Sequence, residues 1–159
     1  MHPDMLVNLY SKRLNGSVKD PEGFAIRRAM SLEAHVLHEF IIENFSEQWF
    51  SEVLPGMAKA CPSVFLAFDK DGDIAGFAAY DCTAKGYFGP IGVKESCRRK
   101  GVGEALAKAC LLAMKEEGYG YAIIGSAGVP DWYRKHFGAV DIGNSPEESV
   151  YSRDPKLVR

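Results

Sequence analysis

The chain has 159 residues, 47% of them apolar and 25% charged, with a formal net charge of −2 at pH 7. Such a length carries one domain with a real core, and the mix is that of an ordinary globular protein. The near-neutral charge gives no global reason to expect nucleic acid or a membrane surface as a partner.

No apolar run approaches the roughly 20 residues of a membrane helix. A signal peptide is not expected either, because Asp4 interrupts the start and no cleavage-like segment follows. Cys61, Cys82, Cys97 and Cys110 form no Cys-x-x-Cys pair. They read as free thiols of a reducing compartment, so a cytoplasmic location is expected.

Residues 1–22 read as an N-terminal extension, with Leu6, Val7, Leu9 and Tyr10 packing one short apolar patch. Phe24 to Met30 reads as a first strand. Ser31 suits the N-cap of a helix over Leu32 to Asn44, with Leu32, Val36, Leu37, Phe40 and Ile41 inward. His35, Glu39 and Glu43 recur every four residues on another face, and read as a solvated face. They supply no third first-class ligand for zinc, and no metal is expected. Ser46 is a cap for a second helix to about Lys59, which Pro55-Gly56 should break or kink.

Ser63 to Phe68 and Ile74 to Tyr80 read as a hairpin turning at Asp71-Gly72. The stretch from Tyr87 to Val93 holds Gly89, Pro90 and Gly92. Proline cannot donate to a ladder, so Pro90 marks a bulge or an unpaired edge, or else the stretch is a loop. A long helix follows from Val102, with Leu106, Ala109 and Ala113 on one stripe and Gly118 beyond its end. Glu104 precedes Lys108 by four and is expected to pair with it. Tyr121 to Gly125 reads as a mostly buried strand, and Pro130 suits the first turn of a helix ending at Gly138. Val140 to Ile142 and Ser149 to Ser152 read as two closing strands.

The chemistry concentrates where Arg98, Arg99 and Lys100 stand before Gly101-Val102-Gly103 and the long helix. A first helical turn carries unpartnered N–H groups and the positive end of the macrodipole. Glycines there let a ligand reach the backbone. The combination suits a phosphate or pyrophosphate. The dinucleotide fingerprint fails because position 106 is Leu106, and no Gly-Lys-Ser/Thr follows to make a P-loop.

Arg98-x-x-Gly101-x-Gly103 resembles the Gln/Arg-x-x-Gly-x-Gly/Ala loop of the GNAT superfamily of N-acetyltransferases. The likeness runs from about Ser63 to Gly138, and more loosely over Gly23 to Cys61. It implies a mixed α/β fold over 23–159. Its twisted mixed sheet should have a bulged, splayed middle strand and helices on both faces. It implies acetyl-CoA as co-substrate, with pyrophosphate on the amides around Arg98, Arg99, Lys100, Gly101, Val102 and Gly103. The pantetheine arm should lie along Ile91, Gly92 and Val93. Phe45, Trp49 and Phe50 then fall in one wall of the acceptor site.

Trp132-Tyr133-Arg134-Lys135 aligns with the family's Phe-Tyr-Glu-Lys, which makes Tyr133 the candidate proton donor to the leaving thiolate. Arg134 replaces the usual acid, one extra residue precedes Gly138, and Ser126 stands where many members have Asn and is a further candidate cofactor contact. Backbone N–H near Gly92 or Val93 is the candidate oxyanion donor. Asp81, Glu43, Glu39 and His38 are candidate bases, as is a chain of waters.

Three functions stay open at this stage. One is acetyl transfer to a small amine or an amine-bearing side chain. Another is a non-catalytic acyl-CoA-binding sensor on the same fold. The last is a generic nucleotide-phosphate binder. The resemblance also raises a homodimer built through sheet edges or closing strands.

Overall fold

A computed structural model describes residues 2–153. The strands are β1 (Met5–Asn8), β2 (Ala25–Arg28), β3 (Val64–Phe68), β4 (Ile74–Tyr80), β5 (Tyr87–Val93), β6 (Tyr121–Ile124) and β7 (Val140–Asp141). The helices are α1 (Ala34–Asn44), α2 (Glu47–Met57), α3 (Val102–Glu116) and α4 (Pro130–Phe137). The strands form one seven-stranded sheet in the order β2-β3-β4-β5-β6-β1-β7. Every pairing is antiparallel except β5 with β6.

β4, between β3 and β5, is buried along all seven residues. Strand alternation then builds two cores. Phe77 and Ala79 face Leu37, Phe40, Ile41 and Val53 of α1 and α2. Ala78 and Tyr80 face Leu106, Cys110 and Met114 of α3. Small residues let both helical layers approach: a Cβ on Gly76 would already lie 3.0 Å from Leu106 Cδ1.

Residues 5–8 are part of the sheet. β1 pairs with β6 along its whole length and carries β7 on its other edge, and Met5, Val7 and Leu9 have no exposed surface. Asp4 is also buried. Its carboxylate accepts from the Ser126 N–H at 2.8 Å and from the Ser149 hydroxyl at 3.1 Å.

Several local expectations need correction. The first helix begins at Ala34 after a 3₁₀ turn at Ser31–Glu33, and Ser31 does not cap it. Instead the Glu33 carboxylate accepts from the Met30 N–H at 2.7 Å and pairs with Arg27. Leu32 and Val36 are 67% and 41% exposed, so only Leu37, Phe40 and Ile41 of the expected stripe are core. Pro55 sits inside α2 without ending it. Lys108 donates to the Asn15 carbonyl, and Glu104 pairs with His136, so the expected Glu104–Lys108 pair is absent.

The closing hairpin is absent among the described residues. β7 has two residues, and Val150–Arg153 is a 3₁₀ helix. Here Pro146 lacks an N–H for a ladder. Ser145 and Ser149 spend their hydroxyls on Asp4 and local carbonyls, which compete with strand pairing.

Candidate active site

The slot in the sheet is explicit in the pairing. β5 meets β6 only at Tyr87–Ile123 and Phe88–Ile124, then leaves it. The break follows a register shift against β4 between Ala78 and Tyr80, across from Gly89 and Pro90. Beyond it β5 stays on β4 alone. Lys94 donates to the Ala75 carbonyl, and Gly92 lies opposite Phe77 in the same register. Antiparallel alternation therefore turns the polar groups of Gly92 toward β4 and those of Ile91 and Val93 toward the slot. The Val93 carbonyl accepts from Arg98 Nε at 3.0 Å, on that open side.

The basic turn closes the far end of β5. A 3₁₀ turn at Glu95–Cys97 leads into Arg99 at φ 62° and Gly101 at φ 83°. These two left-handed residues curl the backbone of the turn, and turn backbones of this kind can gather N–H groups toward an anion. Gly101 is the N-cap of α3 and supplies no side-chain hydrogen bond to the first turn. The first-turn N–H groups have no intrahelical acceptor. An ideal Cβ at Gly103 would lie in ordinary contact with Val93 and Trp132, at 3.7 Å and 3.9 Å.

A groove of about 500 Å³ runs from this turn along the slot. Of the candidate cofactor residues, Ile91, Gly92, Val93, Arg98, Arg99, Gly101, Val102 and Gly103 all line it. Lys100 is exposed and does not line it, and Ser126 lines a neighbouring cavity instead. Phe45 and Trp49 form the groove's other wall, stacked with centroids 4.9 Å apart. Phe45 packs on Gly92 so closely that a Cβ there would lie 2.5 Å from its ring. Phe50 lies against the α1–α2 core and His38.

Tyr133 projects from α4 between edge-on rings of Phe88 and Trp132. It lines both the groove and the neighbouring cavity, and among the described residues its hydroxyl bonds no protein group. Burial pushes its pKa well above that of ordinary tyrosine. Arg134 turns away from it, bridging Asp131 at 2.6 Å and Asp141 at 2.5 Å, so the substituted corner ties α4 to β7.

None of the four candidate bases lines either cavity. Asp81 is tied to the Gly86 N–H and the Tyr119 hydroxyl. Glu39 and Glu43 are exposed on α1, and His38 pairs with Glu47.

The neighbouring cavity, about 430 Å³, has Trp49, Ile91, Val129 and Tyr133 in common with the groove. Its carboxylate is Glu52, on α2. Sequence reading missed Glu52, and also the His136–Glu104 pair at the groove. None of these belongs to a motif, and only the fold brings them to the site.

The fold is thus a split mixed sheet with a basic, glycine-containing turn at the mouth of the split. The chain belongs to the acetyltransferase (GNAT) family, whose profile matches residues 32–138. Members of that family use acetyl-CoA. Among solved structures, a GCN5-related N-acetyltransferase from Sphaerobacter thermophilus superposes with TM-score 0.70 at 23% identity. That match covers 88% of this chain and 48% of the other. A glucosamine N-acetyltransferase region of a fungal multi-domain β-N-acetylglucosaminidase gives 0.68 at 13%, covering 89% and 20%. The Escherichia coli GNAT protein YhbS, solved with CoA, gives 0.57 at 21%, covering 74% and 70%. The chain therefore spans half or less of the length of the first two proteins. No curated protein matches it.

Proposed function

We propose that the chain transfers an acetyl group from acetyl-CoA to an amine by direct attack within a ternary complex. The observation that carries this reading is convergence on one groove. Arg98, Arg99, Gly101 and Gly103 of the basic turn, Ile91 and Val93 of β5, and Tyr133 all line it.

In this reading the first-turn amides of α3 and the Arg98–Gly103 turn bind the pyrophosphate. Ile91 and Val93 pair with the pantetheine amides as an added strand would. The Ile91 N–H, also turned to the slot and farther from the pyrophosphate turn, is suited to the oxyanion that develops on the thioester carbonyl. The amine attacks that carbon, the new C–N bond forms, and the C–S bond breaks. The nitrogen gives its proton to water, the departing thiolate takes one from Tyr133 and leaves as the CoA thiol, and the phenolate recovers a proton from solvent. Burial keeps Tyr133 protonated, which suits a donor. Direct attack is supported because no cysteine lines either cavity among the described residues. A ping-pong route through an acetylated thiol has no thiol placed to serve it.

Initial-rate kinetics over an amine panel test this, with the product identified by mass. Intersecting double-reciprocal lines are expected, and parallel lines would require a covalent intermediate instead.

A further inference from the structure

We infer that Arg13 is a positioning residue for Tyr133, and that residues 3–13 form a clamp that holds the segment 126–138 at both ends. This rests on reading Tyr133 as the proton donor of the groove.

The need for a clamp starts from Tyr133 itself. Among the described residues its hydroxyl bonds no protein group, so no hydrogen bond sets where it sits. Its place is that of α4 and of the rings around it. α4 has eight residues, too few to be stable alone. Among the strands and helices it packs chiefly on β1 and on a 3₁₀ turn at Lys12–Leu14. Both lie outside 32–138, the stretch that the family profile matches.

The clamp grips before α4 and at its end. Before it, the Pro3 carbonyl accepts from the Ala127 N–H at 2.8 Å, and the Asp4 carboxylate accepts from the Ser126 N–H at 2.8 Å. Ser126 is held at φ 50°, a region that a residue with a side chain seldom enters. At the end, Arg13 Nη1 donates to the Arg134 carbonyl at 2.9 Å and to the Lys135 carbonyl at 2.5 Å. These belong to the last turn, where helix carbonyls run out of intrahelical donors and the macrodipole is negative, so a guanidinium suits the place. Gly138 leaves room for it: a Cβ there would lie 3.4 Å from Arg13 Nε.

Arg13 is itself anchored. Its N–H donates to the Ser11 hydroxyl at 3.2 Å, and Leu14 beside it is buried. Lys108 of α3 donates to the Asn15 carbonyl at 3.0 Å. The turn thus bridges α3, whose first turn lines the groove, to α4, which carries Tyr133. It fixes the spacing of the two helices across the groove. A misplacement of about 1 Å at a reacting group can cost ~10²-fold in rate.

A double-mutant cycle on kcat gives the test, with an amine turned over in the panel above. The variants are Arg13→Met, which keeps an aliphatic stem and removes both hydrogen bonds, Arg13→Lys, Tyr133→Phe, and Arg13→Met with Tyr133→Phe. Acetyl-CoA calorimetry and amide hydrogen exchange are measured on each. Arg13→Met should lower kcat ~10-fold or more and leave acetyl-CoA affinity within ~3-fold. Arg13→Lys, which still offers donors to the carbonyls, should recover most of the loss. In the Tyr133→Phe background Arg13→Met should change kcat by less than ~2-fold, because the group it positions is gone. Amides of 131–138 should exchange faster in Arg13→Met while those of α3 keep their protection. An unchanged kcat in Arg13→Met, with Tyr133→Phe impaired, overturns the inference and leaves the donor reading standing. So does an undiminished loss in the Tyr133→Phe background, or faster exchange throughout the chain, which marks a general loss of stability. A Tyr133→Phe variant with unchanged kcat overturns both. Acetyl-CoA binding with no amine acetylated also overturns both and leaves the cofactor reading.

Discussion

Burial does two things to Tyr133. It fixes the ring between Phe88 and Trp132, and it disfavours the phenolate. The sign matters for pH. The donor form is the protonated one, and a raised pKa extends that form to higher pH than an ordinary tyrosine at about 10. Loss of Tyr133's proton should therefore not limit kcat below about pH 10, and a pH–rate profile checks this; a fall in kcat near pH 8 that Tyr133→Phe abolishes would contradict the donor role. Tyr133→Phe should itself lower kcat by ~10²-fold or more with acetyl-CoA affinity unchanged, measured by calorimetry. Tyr133 was legible because its neighbours form a recognisable string. Glu52 and Asp4 were not. Asp4 works through Ser126 and Ser149, 122 and 145 positions away, and no local pattern reveals a partner so distant.

At the scale of the element, the decisive object is β5 with its turn. Gly89 and Pro90 made the strand look doubtful in sequence, and they mark where β5 parts from β6. The anomaly was readable as a break in pairing. The direction of each N–H was not, because it depends on the register with β4. Gly92 is required by Phe45 rather than by the backbone. Gly92→Ala should destabilise the chain by ~1–3 kcal/mol through overpacking and weaken acetyl-CoA binding, as read by urea denaturation and calorimetry. A cap gives a cleaner control. The Ser46 hydroxyl accepts from the Trp49 N–H at 3.3 Å, and Ser46→Ala should cost ~1 kcal/mol in the same denaturation assay. The misread elements, the start of α1 and the closing segment, fail for one reason. Side chains there (Glu33 in one, Ser145 and Ser149 in the other) satisfy backbone or buried groups that propensity does not count.

For the whole molecule, the sheet divides the apolar residues into two layers, and β1 helps close one of them. The hairpin of β3 and β4 and the long α3 follow from turn chemistry and periodicity, and the mixed α/β class from the resemblance to the GNAT family, so they were legible. The place of residues 5–8 was not. Their alternation is short, and their partners, β6 and β7, lie more than a hundred residues on. Leu9, with no exposed surface, belongs to the α3 core, and Leu9→Ala should lower stability by ~2–5 kcal/mol, measured as a shift in the urea midpoint. A change near zero would mean that the start of the chain is dispensable to that core.

The central claim is that the turn before α3 and the open strand seat acetyl-CoA. Calorimetric titration of acetyl-CoA, with ATP and NAD as comparators, tests it most directly when repeated on Gly103→Glu, which sets a carboxylate among the first-turn amides. The account predicts saturable binding of acetyl-CoA in preference to both comparators, lost in the variant while its thermal unfolding stays cooperative. Equal binding of ATP, or acetyl-CoA binding that survives a glutamate at position 103, would contradict it.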